Sequence, residues 1–495
     1  MASIPPNQQL EGENVMEYTS SDSSGHDEYA LFSAVMESIR LDRLSKYATT
    51  TRKSIPHHNR RAFHVVNIGT PIFGSYHVLY PVKFDDGAAW LLKVPANGTR
   101  EKFRDTDARA LRSEALTMRL LRRETTIPLP DVFAFSDTCD NELNCPFILI
   151  NHVEGNSLYK VWFNNASPTD VVQARRVRCL QDIAGAMVQL DKFSFNQGGS
   201  LHFDDRGFPL GIGSFRLVDN AAILERSKDG DHDESTIFLE AGPFSNTKEY
   251  YTALLDHRKE TKSTVQKGTI ELLRLFIDWI PEPGDKQEAF VLAHPDFDIQ
   301  NFLVSEDGAL QAIIDWDGVS AVPRSVGNER YPRWLTRDWN PATYGWTENM
   351  GRRAEPVGIW EDSPDNLRFY RSVYARSIRC HQLQGGPPCA NPTTRSLIHE
   401  NLLLAANDPP CTLDIIEEVF NTIVKIVQKG VLPVLNVSGD TGDSLKGEIK
   451  IEDDELEGLD FYSISCALIE KRLREHHRRL LIFGFKNLLS QSSTL

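Results

Sequence analysis

Short runs rich in apolar residues and bounded by turn signals dominate the chain between residues 61 and 105, and they predict β-strands. The runs are FHVVNIGT, GSYHVLYPVKF and AAWLLKV, separated by turn signals such as Asp86-Gly87. A helix is predicted over 106–123, where apolar side chains recur at helical spacing as Leu111, Ala115, Met118 and Leu121. The run FILINHV then predicts one further strand.

From about residue 157 onward, the apolar spacing changes to the 3.6-residue period of helices. The helices predicted in this part cover 168–192, 246–258, 268–279 and 366–430. Residues 290–318 are an exception, because they predict two strands joined by a turn at Asp307-Gly308. One last amphipathic helix is expected, with a shared face formed by Tyr462, Cys466, Ile469, Leu473 and Leu480.

These patterns predict an α+β fold with two lobes, a small β-rich N-lobe followed by a larger helical C-lobe. The expected order is a disordered arm (1–28), a helical and basic extension (29–60), the N-lobe (61–153), the C-lobe (154–435), an acidic linker (436–458) and a C-terminal helix (459–495).

Composition and charge exclude several classes of protein. With 54 Lys+Arg against 69 Asp+Glu, the net charge of −15 disfavours a general nucleic-acid binder. No apolar run approaches the ~18 residues that span a bilayer, so no membrane association is expected. The N-terminus has neither a signal-peptide pattern nor an Arg-rich transit pattern. The seven cysteines are scattered without a C-x-x-C pair. Together these features predict a cytoplasmic protein.

The segment most informative about chemistry is HPDFDIQN, residues 294–301. It places an acid, Asp296, five residues before an amide, Asn301. Phosphoryl transfer needs a carboxylate that orients the attacking hydroxyl and hard oxygen ligands for Mg²⁺ near the phosphates. Fourteen residues beyond Asn301 comes Asp315, in the run IIDWDG. A short hairpin between them would bring Asp315 beside Asn301 and complete an oxygen-rich site.

These two motifs, HPDFDIQNFLV and IIDWDG, resemble the catalytic and metal loops of the aminoglycoside phosphotransferase family, in its fungal form. The resemblance covers about residues 60–340 and implies a protein-kinase-like fold that uses ATP and Mg²⁺ to phosphorylate a small-molecule hydroxyl. It implies that Asp296 is the base, that Asn301 and Asp315 hold Mg²⁺, and that His294 supports the loop. Family members usually have Gly where this chain has Pro295.

A lysine for the nucleotide is expected in the N-lobe. Lys93 lies within the otherwise apolar strand AAWLLKV, where a cation is costly unless it reaches an anion or water. The alternative is a lysine on an edge strand that points outward. Glu114 lies between Leu111 and Met118 on the predicted helix, which directs it inward. The family resemblance implies that Glu114 pairs with Lys93.

Two further segments are candidates for nucleotide contacts. Gly74 and Ser75 lie between predicted strands and could approach phosphate, although a simple β-turn explains them equally well. The strand FILINHV resembles the one that links the lobes in this family. Its backbone from Ile150 to His152 is therefore expected to hydrogen-bond adenine.

Other functions fit the sequence less well. A metallohydrolase would need a second histidine motif, and the basic runs HHNRR and EKRLREHHRR lie in acidic surroundings. Asp298 and Asp317 are expected to be bystanders that bind loop amides or water. The chain is therefore expected to be a small-molecule kinase, with an amine-bearing acceptor as one class considered. The alternative is an inactive, nucleotide-binding pseudokinase that acts as a scaffold.

Overall fold

The structure, a computed structural model, describes residues 30–55, 63–230, 235–281, 289–328, 330–350, 359–383, 392–429 and 456–491. These residues form two compact units. The first contains the described residues up to Leu111 together with Asp131–His152, and the second contains Arg112–Pro130 and the described residues from Val153 onward. The predicted arm (1–28) and residues 436–455 of the predicted linker lie outside the described residues.

The first unit is built on one antiparallel sheet. Its strands are β1 (Val65–Ile68), β2 (Ile72–Phe73), β3 (His77–Phe84), β4 (Ala89–Pro95), β5 (Val132–Ser136) and β6 (Phe147–Asn151). Their order is β1-β3-β4-β6-β5, and β2 pairs with β3. The turn between β3 and β4 uses Gly87 at φ +88°, a conformation that suits glycine. The strands predicted from the short apolar runs are confirmed.

Two helices, α1 (Ala30–Ser38) and α2 (Leu41–Ser54), pack on this sheet. Val35, Ile39 and Leu44, whose helical spacing predicts a helix in this extension, are buried in the same core as the sheet residues. Arg52 of α2 is buried, stacks on Phe84, and donates bonds of 2.8 and 2.6 Å to the Asp86 carboxylate. A bidentate pair of this kind is geometrically specific, so it aligns α2 with the β3–β4 turn.

The second unit is mainly helical. Helix α3 (Asp105–Glu124) spans the division between the units, and the prediction over 106–123 is confirmed. The other helices are α4 (Leu158–Phe163), α5 (Thr169–Met187), α6 (Asn220–Lys228), α7 (Thr247–Thr252), α8 (Thr264–Asp278), α9 (Pro364–Leu383), α10 (Pro392–Asn407), α11 (Thr412–Gln428), α12 (Phe461–Ile469) and α13 (Glu475–Gln491). Within the described residues, none of these helices is long and apolar enough to cross a bilayer.

Short strands interrupt the helices of the second unit. They are β7 (Asn156–Ser157), β8 (Ser194–Phe195), β9 (Ser200–Phe203), β10 (Pro209–Gly213), β11 (Phe215–Val218), β12 (Phe238–Ala241), β13 (Phe290–Ala293), β14 (Phe302–Val304), β15 (Leu310–Ile313) and β16 (Ser320–Pro323). The two-strand pattern predicted around Asp307-Gly308 is confirmed by the antiparallel pairing of β14 with β15.

The prediction of a mainly helical chain between 157 and 290 is wrong for residues 194–241, which contain β8 to β12. These strands have two to five residues, too few for alternation to be recognised. Strand β8 also has a distant partner, since it pairs with β13, whereas β9–β10 and β11–β12 are local pairs. At Gly199, with φ +148°, a Cβ atom would lie 2.1 Å from the Gly213 carbonyl oxygen, so glycine is required there.

The prediction of one C-terminal amphipathic helix is also wrong. Helix α12 ends at Ile469, and the chain passes through Lys471 at φ +54° before α13 begins. Helix α12 packs on α8, where Ser465 meets Gly268 so closely that a Cβ on the glycine would lie 2.4 Å away. That contact faces Ser465 inward and leaves Tyr462, expected in the apolar face, 64% exposed.

Candidate active site

A tight loop follows the buried strand β13 and carries the first motif. Asp298 begins a short 3-10 helix (Ile299–Asn301), and its Oδ1 accepts a 2.8 Å hydrogen bond from the Ile299 amide. Phe297 and Ile299 are buried, so their side chains anchor the loop to the core. Asp298 therefore binds a loop amide, as expected, and burial is the main cause that raises its pKa.

Asp296 and Asn301 lie in direct contact within this loop. The Asn301 side-chain nitrogen donates to Asp296 Oδ2 at 2.9 Å and to the Asp296 carbonyl oxygen at 2.8 Å. Gln300 donates to the same Oδ2 at 2.8 Å. Within the described residues, the other carboxylate oxygen, Asp296 Oδ1, accepts no hydrogen bond, and its nearest cation is Arg333 Nη1 at 3.9 Å. Asp296 Oδ2 is therefore fixed by hydrogen bonds, whereas Oδ1 is not.

The β14–β15 hairpin brings the second motif back to the first. Phe302 is paired with Ile313, and the Ile314 amide donates to the Asn301 carbonyl oxygen at 2.9 Å. Asp315 follows immediately, exposed and at φ +59°, a backbone region that residues other than glycine rarely adopt. The structure thus places Asn301 and Asp315 on adjacent segments, as the hairpin length predicts. An unusual backbone at such a position often accompanies function.

His294 connects the two motifs. It is buried, and its Nε2 lies 2.9 Å from the Ile314 carbonyl oxygen, so Nε2 is the donor of a neutral ring. The ring meets Trp316 edge-on, with 4.7 Å between centroids. Burial is the main reason that the pKa of His294 is lowered to about 4. The histidine is therefore uncharged at neutral pH and serves to hold the loop.

Asp317, expected to be a bystander, makes an ion pair. Its Oδ1 lies 3.5 Å from Arg216 Nη2 on β11. The Arg216 guanidinium also lies over the Phe238 ring, 4.4 Å from its centroid. The hairpin formed by β11 and β12 is thereby joined to the loop that carries Asp315. Nothing in the sequence signals this partnership, because about a hundred residues separate Arg216 from Asp317.

Lys93 lies on β4, which β3 and β6 flank, so the edge-strand alternative is wrong. Its backbone is paired with Leu79 on one side and Ile148 on the other. The side chain is only 8% exposed. An ammonium group buried to this extent is costly without a compensating anion. The role of Lys93 in nucleotide binding stays a prediction.

Glu114 lies on α3 and is buried, as its place between Leu111 and Met118 predicts. Buried carboxylates are rare unless they are compensated. Its proposed action on Lys93 stays a prediction.

Gly74 and Ser75 form the turn between β2 and β3. The Gly74 amide donates to the His77 carbonyl oxygen at 2.9 Å, and both Gly74 and Ser75 are exposed. A Cβ atom on Gly74 would meet only ordinary contacts. The structure therefore shows a hairpin turn, which agrees with the simpler of the two interpretations. A phosphate contact at Gly74 or Ser75 stays a prediction.

The backbone from Ile150 to His152 is already engaged in the sheet. Ile150 is paired with Leu91 and with Val132, and the His152 amide donates to the Ala89 carbonyl oxygen at 2.9 Å. An adenine ring at this segment would thus have to use groups other than the His152 amide. The contact between adenine and Ile150 or His152 stays a prediction.

Arg330 is a residue of the site that the sequence did not reveal. It donates to the His294 carbonyl oxygen at 2.8 Å, and its guanidinium lies over the Phe297 ring, 5.6 Å from the centroid. Glu400 of α10 holds the same guanidinium through a 2.9 Å ion pair. Burial raises the pKa of Glu400, and the neighbouring Arg330 opposes that shift. Arg330 and Glu400 therefore hold the backbone of the loop that carries Asp296.

Comparison with known proteins places this geometry in context. A family described as the phosphotransferase enzyme family matches residues 80–325. The matched range contains Lys93, Glu114, the loop with Asp296 and Asn301, and Asp315, and it ends before Arg330. The match confirms the resemblance inferred from the two motifs and, with it, the two-lobed, kinase-like fold.

Two curated proteins are similar over part of the chain, and both are named altered inheritance of mitochondria protein 9, mitochondrial. The protein from Debaryomyces hansenii is 30% identical over 133 residues, which are 27% of this chain and 21% of that protein. The protein from Yarrowia lipolytica is 29% identical over 136 residues, 27% of this chain and 22% of that protein. The chain therefore matches about a fifth of the length of these relatives.

These names contradict the cytoplasmic location predicted from the sequence, because both relatives are named as mitochondrial proteins. That prediction rested on the absence of a targeting pattern in the N-terminal residues, of a membrane span and of a disulfide framework.

Solved structures of low sequence identity are also similar. A thermostable mutant of an aminoglycoside phosphotransferase in its apo form is 15% identical, covers 71% of this chain and 94% of its own, and has a TM-score of 0.36. An amicoumacin kinase in complex with AMP-PNP, Ca²⁺ and Ami is 12% identical, covers 68% of this chain and 79% of its own, and has a TM-score of 0.38.

Proposed function

This chain belongs to the phosphotransferase enzyme family through residues 80–325, and we propose that it transfers the γ-phosphate of ATP to a hydroxyl group of a small molecule. The observation that carries the proposal is the unequal environment of the Asp296 carboxylate. Oδ2 is held by Gln300 and Asn301, whereas Oδ1 accepts no hydrogen bond from the described residues. A general base needs one fixed orientation and one available oxygen.

In the proposed reaction, the acceptor hydroxyl donates its hydrogen bond to Asp296 Oδ1. The hydroxyl oxygen attacks the γ-phosphorus, the bond from that phosphorus to the β–γ bridging oxygen breaks, and the hydroxyl proton passes to Asp296. The products are a phosphate ester and ADP. Because little covalent chemistry is required of the protein, the rate depends on how well the hydroxyl is oriented.

The oxygen donors near Asp296 fit a divalent cation. Both hydrogens of the Asn301 amide point to Asp296, and Asn301 Oδ1 accepts no hydrogen bond within the described residues. Asp315 supplies a carboxylate from the adjacent segment. Hard oxygen ligands of this kind suit Mg²⁺, which would neutralise charge on the phosphates. We propose Asn301 and Asp315 as the groups that would hold it.

Two buried groups are proposed to serve the nucleotide. Lys93 is proposed to meet the phosphates, because a buried ammonium on an interior strand is stabilised by an anionic ligand. Glu114 is proposed to orient it.

The response of thermal stability to ATP tests this function. Two groups on the protein are too few for the six oxygens that Mg²⁺ prefers, so the ion should bind well only together with ATP. ATP should therefore raise the unfolding temperature more with Mg²⁺ than with EDTA. Asp315→Ala should remove that difference, and Lys93→Met should reduce both responses. Asp307→Ala, at the exposed turn of the β14–β15 hairpin, is the matched control.

The alternative is a pseudokinase that acts as a scaffold, and the engaged His152 amide and the plain turn at Gly74 favour it. An ATP response that is absent, or equal with and without Mg²⁺, would leave the scaffold as the better explanation. ATP turnover in the presence of a hydroxyl acceptor would exclude it.

We also propose a mitochondrial location, on the grounds of the names of the two relatives. Fluorescence microscopy of the tagged full-length protein in its native cells tests it. A purely cytosolic signal would contradict it.

A further inference from the structure

Arg333 is held rigidly beside the loop that carries Asp296. It begins a short 3-10 helix, Arg333–Leu335, and its amide donates to the Phe297 carbonyl oxygen at 2.9 Å. The next two side chains, Trp334 and Leu335, are buried, so this segment cannot shift without disturbing the core. The base of the Arg333 side chain is thereby positioned next to the catalytic loop before any ligand arrives.

The guanidinium of Arg333 has donors that the protein leaves unused. Its Nη1 lies 3.9 Å from Asp296 Oδ1, which is too long for a hydrogen bond, and the side chain is 51% exposed. Within the described residues, this guanidinium donates no hydrogen bond. Two other arginines in the same segment differ, since Arg330 binds Glu400 and Arg337 binds Glu361.

Three acidic groups face Arg333, and each is bound through at least one carboxylate oxygen to another group. They are Asp296, Asp298 and Glu400. Asp298 accepts from the Ile299 amide, and Glu400 pairs with Arg330. Asp296 uses Oδ2 for Asn301 and Gln300 and leaves Oδ1 open. A ligand that reaches Oδ1 therefore meets an arginine with available donors at the same point.

We infer that the acceptor carries an anionic oxygen group, a carboxylate or a phosphate ester, close to the hydroxyl that is phosphorylated. The inference rests on the proposed function, since it places that hydroxyl at Asp296 Oδ1. With a hydroxyl about 2.7 Å from Oδ1 and an oxyanion about 2.8 Å from the guanidinium, the two groups are close neighbours in one small molecule. Arg333 then determines which acceptors bind.

This conclusion differs from the amine-bearing acceptor considered from the sequence, which rested on the aspartates of the loop region in a chain of net charge −15. A cationic group next to the reacting hydroxyl would approach the Arg333 guanidinium, and like charges in a partly desolvated site repel each other. The net charge of the chain acts at long range and is screened by salt. The local arginine therefore decides the preference.

A set of three-carbon probes tests the inference: glycerate, glycerol 3-phosphate, glycerol and 3-amino-1,2-propanediol. They share hydroxyl groups and differ in the charge of one end. Binding is measured by calorimetry, both with the Mg²⁺ salt of AMP-PNP and without nucleotide. The proteins compared are the parent, Arg333→Gln, Arg333→Lys and the control Arg178→Gln, an exposed arginine paired with Asp307 on the β14–β15 hairpin.

The parent should bind at least one anionic probe more tightly than glycerol, and the amine most weakly. Arg333→Gln should weaken the anionic probe by roughly 10- to 100-fold and leave glycerol unchanged, because a charge-assisted hydrogen bond is lost. Arg333→Lys should restore part of the binding, and Arg178→Gln should match the parent. Comparing glycerate with glycerol 3-phosphate separates a carboxylate from a phosphate ester.

Three results would overturn the inference: no anionic probe bound by the parent at tens of millimolar, a preference for the amine, or equal effects of Arg333→Gln and Arg178→Gln. Failure of the proposed function is distinguishable from these. A failure of the proposed function would appear as the absence of the Mg²⁺-dependent ATP response. The binding measurements without nucleotide would still decide the charge preference at Arg333.

Discussion

At the scale of single residues, the two oxygens of the Asp296 carboxylate have different environments. Asp296 Oδ2 is fixed by two amide donors, and Oδ1 is left for a ligand. The Asn301 side-chain nitrogen donates to Asp296, which leaves the amide oxygen for the proposed cation. A short sequence thus places the proposed base and a proposed metal ligand in direct contact.

Replacement of the base tests this arrangement. Asp296→Asn keeps the shape of the side chain and an oxygen that accepts from Gln300 and Asn301, but it removes the carboxylate that would accept the proton. ATP affinity should therefore stay within a few-fold of the parent, while turnover falls by roughly 10²–10⁴. Steady-state ATP consumption with an accepted hydroxyl compound, alongside calorimetric ATP binding, measures both.

Asp307→Asn, on the exposed turn, is the control for this replacement. Turnover of Asp296→Asn equal to that of Asp307→Asn would refute the role of Asp296 as the base.

Packing between elements determines the shape of the catalytic loop. Strand β13 is buried and ends at Ala293, but the loop beyond it, which begins with His294, is held by donors from distant segments. The His294 carbonyl oxygen accepts from Arg330, and the Phe297 carbonyl oxygen accepts from the Arg333 amide. Helix α10 contributes through Glu400, which holds Arg330. The loop therefore depends on α10 although the two are about a hundred residues apart.

The Arg330–Glu400 pair should affect turnover separately from stability. Arg330→Gln leaves Glu400 as a largely buried carboxylate without its partner, which should cost about 3 kcal/mol of unfolding free energy. It also removes the donor to the His294 carbonyl oxygen, so turnover should fall roughly 10- to 100-fold. The double variant with Glu400→Gln should regain most of the stability, because no unpaired charge remains, yet turnover should stay low.

Urea unfolding and ATP turnover measure these two effects, and hydrogen exchange of the peptide containing residues 294–298 should be faster in both variants. Arg324→Gln, which removes an arginine paired with Asp191, is the control. Full recovery of turnover in the double variant would mean that the pair acts only on stability.

At the scale of the whole molecule, the two units do not follow the order of the chain. Residues 112–130 belong to the second unit, although segments of the first unit flank them on both sides. The contacts that hold them there include the Ile313 amide, which donates to the Pro128 carbonyl oxygen at 2.8 Å, and Gln189, which accepts from the Thr126 amide.

Buried titratable groups in the second unit make the stability of the molecule depend on pH.

The stability of the molecule should decrease in mild acid, in part because of His399 on α10. Burial, with a contribution from Arg395, lowers the pKa of His399 to about 3 in the folded protein, whereas an unfolded histidine has a pKa of about 6.5. Below that value the unfolded chain binds a proton that the folded protein does not. Stability is therefore complete above pH 6.5 and should be lower by about 2 kcal/mol at pH 5 from this group.

Urea unfolding at pH 7.5, 6 and 5 measures this effect, with His399→Gln for comparison. The variant should lose less stability over this range than the parent, while His294 continues to contribute a similar dependence in both. Parallel pH profiles of the two proteins would show that His399 is not the source.

The sequence by itself determined the features that depend on neighbours along the chain. Short runs bounded by turn signals predicted most strands of the first unit, and helical spacing predicted α3. The fourteen-residue interval placed Asp315 beside Asn301, because a short hairpin between them brings the two segments together. Only the tertiary structure decided which groups surround the site. Lys93 is on an interior strand because β6 pairs with β4. Arg330 is held in place by Glu400, 70 residues away. The pairing of β8 with β13 is another long-range contact. Spacing along a chain carries information on local conformation, whereas long-range pairing depends on packing that no short pattern records.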